Sequence, residues 1–321
     1  MLSAGPISEA EIANHENGNK YAKAMSDITA SDSIKKLCGD NVRTRFAPSP
    51  TGYMHLGHAF SALSAWYAAG ARTENFHLRI DDLDTTRCKP AFTTQIFDDL
   101  RWLGISWQEP VYYQSARTAR YEERLARLQE GDFIYPCYLT RKEADSLLSA
   151  PHSFEEGLIP APSTRHLVNT QESHKREAGG MAPVWRLDSA RAIREVSPSK
   201  PLTWRDHKGT QHRVDAALFG DVVLGRRDSP ASYHLSTVSD DADSDINLVV
   251  RGADLAPVTQ IHRLLQALLG LPSPIYWHHQ LISDANGKRL AKRHDALSLN
   301  SLRKQGATPA SLLASLPKLE I

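Results

Sequence analysis

Cysteine is scarce in this 321-residue chain. The three present, Cys38, Cys88 and Cys137, are odd in number and widely spaced. That fits reduced thiols in a cytoplasm better than a disulfide scaffold. Long apolar runs are missing as well: none approaches the roughly 20 residues of a membrane span. Residues 1–40 lack the basic start and continuous apolar core of a secretory signal, and Glu9, Glu11 and Glu16 argue against a transit peptide. Nor is there an excess of one charge. Lys and Arg number 38 against 37 Asp and Glu, a formal net charge of +1. Global charge therefore does not point to nucleic acid, and any such contact needs a local basic surface. Arg186 to Arg213, with Arg191, Arg194, Lys200, Arg205 and Lys208, offers one; Lys288 to Arg293 offers another. Either could equally be a solvated face. Internal repeats and low-complexity tracts are absent. An apolar share of 41% and this length leave room for two or three compact units.

The most informative residues run Pro48-Ser49-Pro50-Thr51-Gly52-Tyr53-Met54-His55-Leu56-Gly57-His58. A strand reading (Val42 to Ala47) precedes them and an Ala-rich run (Ala59 to Ala69) follows. Strand, tight turn and helix N-terminus form an anion-binding geometry, because the first helical N–H groups have no partner inside the helix. Gly57 would let a phosphate approach the backbone. His55 and His58, three apart, would share a face and donate to phosphate oxygens. A Pro/Gly turn with two incidental histidines is the plain alternative.

Farther along, Asn75 to Ile80 reads as a second strand and Asp81 to Asp84 as an acidic loop. Period-3.6 apolar spacing predicts a helix over Lys89 to Gly104 and another over Arg117 to Gly131. This alternation is an α/β pattern with a parallel sheet, whose ligands bind beyond the carboxyl ends of the strands. The composition of 136–183 then turns to Pro, Ser, His and Glu, with one short helix at Arg141 to Leu148, and reads as an insertion. Strand-like segments resume at Val184 to Leu187, Asp221 to Leu224 and Ile246 to Arg251. Pro257 to Leu269 reads as a helix closed by Gly270. The last 45 or so residues hold a basic loop and one or two short helices.

The flank Arg43-Thr44-Arg45-Phe46-Ala47-Pro48-Ser49-Pro50-Thr51-Gly52 makes a resemblance specific. Val249-Val250-Arg251-Gly252-Ala253-Asp254 and Ala231-Ser232-Tyr233-His234-Leu235 extend it over about residues 42 to 300. The chain resembles the class I aminoacyl-tRNA synthetases of the glutamate branch, and within it the short glutamyl-Q tRNA(Asp) synthetases. The resemblance implies a class I Rossmann-like parallel sheet with an inserted subdomain and a short helical C-terminal part. No anticodon-binding domain is expected. The partition it suggests is a variable extension (1–41), a first catalytic half (42–135), the insertion (136–183), a second catalytic half (184–275) and a lysine-loop and helical segment (276–321).

The implied activity is ATP-dependent activation of L-glutamate as an adenylate, followed by transfer to the queuosine base in the anticodon loop of tRNA(Asp). ATP is a substrate and Mg2+ its expected companion. The protein is expected to act in the cytoplasm as a monomer, away from membranes. By resemblance His55, His58 and Lys292 are catalytic. ATP falls to Pro48, Gly57, His58, Arg289, Leu290 and Lys292, and glutamate to Arg45, Phe46, Ala47, Pro48, Ser49, Asp81, Tyr233 and Arg251. A dicarboxylate substrate needs an arginine for its side chain and an acid for its ammonium.

Four departures qualify the match. Asp81 stands where the family carries Glu, one methylene longer. In Gly287-Lys288-Arg289-Leu290-Ala291-Lys292-Arg293, Arg289 replaces a usual Lys and Ala291 a usual Ser. Of a four-ligand zinc set in the insertion only Cys137 remains; Leu139, Ile159 and Ser163 occupy the other places. His152, His166 and His174 have spacings that fit no common zinc pattern, so zinc is expected to be absent. A non-catalytic paralogue binding tRNA or nucleotide, a ligase with another acceptor, and a glutamyl-tRNA synthetase completed by another chain all stay open.

Overall fold

The structure is a computed structural model, and it describes residues 32–139, 143, 171–215, 220–229, 231–282 and 298–317. In chain order the elements begin with α1 (Asp32–Cys38), β1 (Thr44–Phe46), α2 (Leu56–Ala68), β2 (Phe76–Ile80), α3 (Pro90–Trp102) and β3 (Gln108–Tyr113). Next come α4 (Thr118–Glu130), β4 (Ile134–Cys137), α5 (Gln171–Ala178), β5 (Val184–Leu187), α6 (Ser189–Val196), β6 (Thr203–Arg205) and β7 (Gln211–Arg213). Then follow β8 (Val223–Gly225), α7 (Tyr233–Asp243), β9 (Leu248–Gly252), α8 (Thr259–Leu269), β10 (Ile275–His279), α9 (Leu299–Lys304) and α10 (Pro309–Ser315).

β1, β2 and β3 pair in parallel in that order, and β9 pairs in parallel with β10. Parallel neighbours need crossover connections, and α2, α3 and α8 supply them. β9 enters beside β1: the N–H groups of Asn247 and Leu248 both donate to Arg43 O, at 3.2 and 3.1 Å. The carboxyl ends of β1, β2 and β9 thereby come together. The small residues of α2 let it lie close on β1, where Thr44 Oγ1 donates to Ala65 O at 2.8 Å. One apolar core joins α2, α3 and the parallel strands to α9 and α10; a second joins α4, α6, α7, α8 and β8.

Several expectations shift. The helix of the histidine turn starts at Leu56 rather than Ala59, because His55 caps it. The segments at 184–187 and 221–224 do not extend the parallel sheet. β5 runs antiparallel between β4 and β8, so the strands flanking the 136–183 region pair with one another. Within the N-terminal 1–41, α1 packs on the first core through fully buried Ile34. Gly270 ends α8 at φ 65°, a left-handed conformation that suits glycine after a helix. The helix expected at 141–148 lies outside the described residues apart from 143.

Candidate active site

His55 is the N-cap of α2, and its Nδ1 accepts from the Gly57 N–H at 3.1 Å. His58, three residues on, accepts at Nδ1 from the His55 N–H at 3.2 Å. This reciprocal cap brings the two rings together, with centroids 3.9 Å apart and planes tilted by 35°. With Nδ1 accepting in both, a neutral ring carries its proton on Nε2, so each imidazole keeps that N–H as its donor. The anion-site expectation is corrected here in two respects. The Gly57 N–H is engaged by the His55 ring, and His58 N–H donates to His55 O at 2.9 Å, so these helical donors are not left open. A Cβ on Gly57 would meet the His55 ring at 3.0 Å. Gly57 thus makes room for the capping imidazole itself.

β1 delivers Arg45, and Arg79 stands on β2. Both are buried, and Asp241 of α7 bridges them. Arg45 Nε and Nη2 donate to Asp241 at 2.9 and 3.2 Å, and Nη1 donates to Val250 O at 3.2 Å. Arg79 Nη1 reaches Asp241 at 2.7 Å, while its Nε and Nη2 donate to the two oxygens of Asp81 at 2.6 and 3.3 Å. A third carboxylate, Asp240, lies 3.6 Å from Arg79 Nε, so the two cations are met by three acids. Burial pushes the Asp81 carboxyl up to about 6, against the pull of Arg79. Asp241, held by both guanidinia, lies below the usual carboxylate range despite its burial. The Asp81 N–H donates to Pro48 O at 3.0 Å, which pins the proline-rich turn against the acidic loop.

Arg45, Phe46, Ala47, Pro48, Ser49, His55, Gly57, His58, Asp81, Tyr233 and Arg251 all line one cleft of about 650 Å3. The structure thus brings together residues from the histidine turn, the acidic loop, α7 and β9. Arg289, Leu290 and Lys292 lie outside the described residues, as do positions 159 and 163. Cys137 is buried beside Tyr135 and Leu139. Among the described residues no group of three or more His, Cys, Asp or Glu could hold a metal.

Sequence reasoning missed Arg79 and Asp241, although Arg79 stands in the same run as Asp81. It also missed Ser61 and His279, which line the cleft from α2 and β10. Ser61 Oγ and His279 Nε2 are 2.7 Å apart, and His279 Nδ1 is 2.9 Å from Gln280 O. That second contact places the ring proton on Nδ1, so the serine hydroxyl donates to Nε2 and ties α2 to the end of β10. The pairing is invisible in sequence because 218 positions separate the two residues.

Residues 41–320 match the family described as tRNA synthetases class I (E and Q), catalytic domain. The chain belongs to this family. A glutamyl-Q tRNA(Asp) synthetase of Rhodobacter capsulatus is 42% identical over 273 residues, covering 84% of this chain and 97% of that protein. One from Symbiobacterium thermophilum is 36% identical over 291 residues, covering 88% and 86%. The glutamate–tRNA synthetase of Elizabethkingia anophelis superposes with a TM-score of 0.64 at 26% identity, over 84% of this chain and 54% of its own. The chain therefore spans about half the length of that solved synthetase. As a member of the family it has the class I synthetase fold, a parallel sheet flanked by helices. The histidine turn and Arg251 of this synthetase-family chain face the same space.

Proposed function

We propose that the chain activates L-glutamate with ATP and transfers it to the queuosine base of tRNA(Asp); the Rhodobacter and Symbiobacterium relatives bear the name glutamyl-Q tRNA(Asp) synthetase, which supports this reading. The observation that carries this reading is Arg251. It lines the cleft, is only 5% exposed, and has no carboxylate within salt-bridge distance among the described residues. A buried cation without a counter-ion is costly in isolation. It fits a pocket whose anion arrives with the substrate. Asp81 on the opposite strand end takes the ammonium, and Tyr233, partly exposed on α7, closes the side.

In the first step a carboxylate oxygen of glutamate attacks the α-phosphorus of ATP, and the bond to pyrophosphate breaks. His55 and His58 donate through Nε2 to the phosphates, which arrive as a magnesium complex. Charge grows on those oxygens in the transition state, so fixed donors there lower the barrier. Lys292 supplies the opposing cation. In the second step a hydroxyl of the modified base attacks the acyl carbon and AMP leaves. No step passes through zinc: Leu139 offers no donor beside Cys137.

Two assays test the reading. Glutamate should drive exchange of labelled pyrophosphate into ATP. Labelled glutamate should then appear on tRNA(Asp) bearing queuosine and not on the same tRNA lacking it. Absence of exchange at millimolar glutamate refutes activation, and equal labelling of both tRNAs refutes the acceptor.

A further inference from the structure

Every acceptor around the buried Arg251 guanidinium is uncharged. Nη2 donates to Thr259 Oγ1 at 2.6 Å, Nη1 meets His262 Nδ1 at 3.1 Å, and Nε approaches His278 Nε2 at 3.4 Å. Its Cζ lies 5.3 Å from the Tyr276 ring centroid. The proton positions follow from these contacts. Thr259 Oγ1 is also 2.9 Å from His278 Nε2. A hydroxyl that accepts from Arg251 still has its own proton to give, so His278 accepts at Nε2. His262 accepts at Nδ1 and keeps its proton on Nε2, a buried atom with no hydrogen-bond partner. Burial and the arginine charge hold both rings neutral: His278 is pushed down to about 3 and His262 well below its ordinary value. His234, its ring centroid 5.6 Å from that of His262, is pushed down to about 4.

The contrast with Arg45 and Arg79 is sharp. All three are buried at the same cleft, yet those two are neutralised by Asp241 and Asp81. A carboxylate at any of the three contacts to Arg251 would satisfy the guanidinium equally well as a hydrogen-bond acceptor. It would also cancel the charge.

We propose that His262, Thr259 and His278 set the side-chain specificity of the amino-acid pocket, by giving Arg251 only uncharged acceptors and so leaving its charge for the side-chain carboxylate of glutamate. None of the three lines the cleft, so they act through Arg251 as positioning residues. They hold its fork in place and disfavour the side-chain amide of glutamine, which brings no charge to pair. This rests on the reading of Arg251 as the carboxylate receptor.

The test compares wild type with His262→Glu, Thr259→Asp and His262→Gln. Pyrophosphate exchange gives KM for glutamate and for ATP, and glutamine is titrated as a competitive inhibitor. The acidic variants should raise the glutamate KM by about tenfold or more. Their ATP KM and glutamine Ki should stay within about twofold, so the preference for glutamate shrinks. His262→Gln, whose amide oxygen is an uncharged acceptor, should stay close to wild type. Acidic variants that melt cooperatively yet keep the wild-type glutamate-to-glutamine ratio overturn the proposal. So does His262→Gln losing that ratio as fully as His262→Glu. If both acidic variants fail to fold, His262→Gln against His262→Leu decides: Leu alone should raise the glutamate KM, and equal values refute the idea. A wild type without glutamate-dependent exchange instead refutes the functional reading before any variant is compared.

Discussion

Under the proposed function Asp81 meets two demands with one short carboxylate. Both oxygens accept from Arg79, but a carboxylate offers about four lone-pair directions, which leaves room for a substrate ammonium. Its position at about 6 makes this contact sensitive to pH. Protonation removes the charge that the ammonium needs. Glutamate affinity should therefore fall about tenfold per pH unit below about pH 6, where the substrate's side-chain carboxylate, ordinarily near 4.3, is still ionised. Equilibrium dialysis of glutamate across that range reads the effect without involving the phosphate chemistry. Asp81→Asn should bind weakly with a flat profile, and a flat wild-type profile would remove Asp81 from the ammonium. Stability runs the other way. The folded value lies above the unfolded one, so the protonated group's contribution is fully present below about 3.8 and is lost as pH rises through about 6.

The pocket stands on a seam between α4 and α7 that is ionic where helices usually meet through apolar side chains. Asp240 is fully buried and accepts from Arg117 Nε at 2.7 Å, Gln114 Nε2 at 2.9 Å and Tyr121 Oη at 2.9 Å. One turn on, Asp243 takes Arg117 and Arg120. Asp240→Ala would strand three donors, one of them charged, and should destabilise the fold by about 3–5 kcal/mol in urea titrations. Asp240→Asn, which keeps one acceptor, should lose less. The same seam explains which helices sequence could reveal. α3, α4 and α8 carry apolar residues at period 3.6 and are readable as helices. α7 buries Leu235 and Val238 among Ser236, Thr237, Ser239, Asp240 and Asp241, so its inward face is mostly polar, its apolar rhythm is short and it goes unseen. β3 escapes notice for a related reason: it opens on exposed Gln108, Glu109 and Pro110. In the cleft, short motifs identify the histidine turn, Asp81, Tyr233 and Arg251. Partners such as Asp241, 196 positions from Arg45, become visible only once the strands are placed.

With a net charge of only +1, an RNA partner must be received by local surface, and the fold places a basic one next to the cleft. The β6–β7 hairpin exposes Arg205, Lys208 and Arg213. Its turn is pinned by Asp206, which accepts from the N–H groups of Lys208 and Thr210 at 2.9 Å and pairs with His212 Nε2 at 2.8 Å. The His207 N–H then donates to Tyr276 O at 2.9 Å, docking the hairpin on β10, whose last residue, His279, lines the cleft. These cations are therefore held at a fixed position on the flank of the site, while none of them touches the pocket. That separates the two half-reactions. Arg205→Glu with Lys208→Glu should raise the KM for tRNA in the transfer assay and leave glutamate-dependent pyrophosphate exchange unchanged. In wild type, log KM for tRNA should climb with log salt. The double variant should lower that slope by about 0.7–0.9 for each phosphate contact removed. An unchanged slope would take the hairpin off the RNA path. A parallel loss of exchange would mean that the hairpin supports β10 and the cleft rather than the nucleic acid.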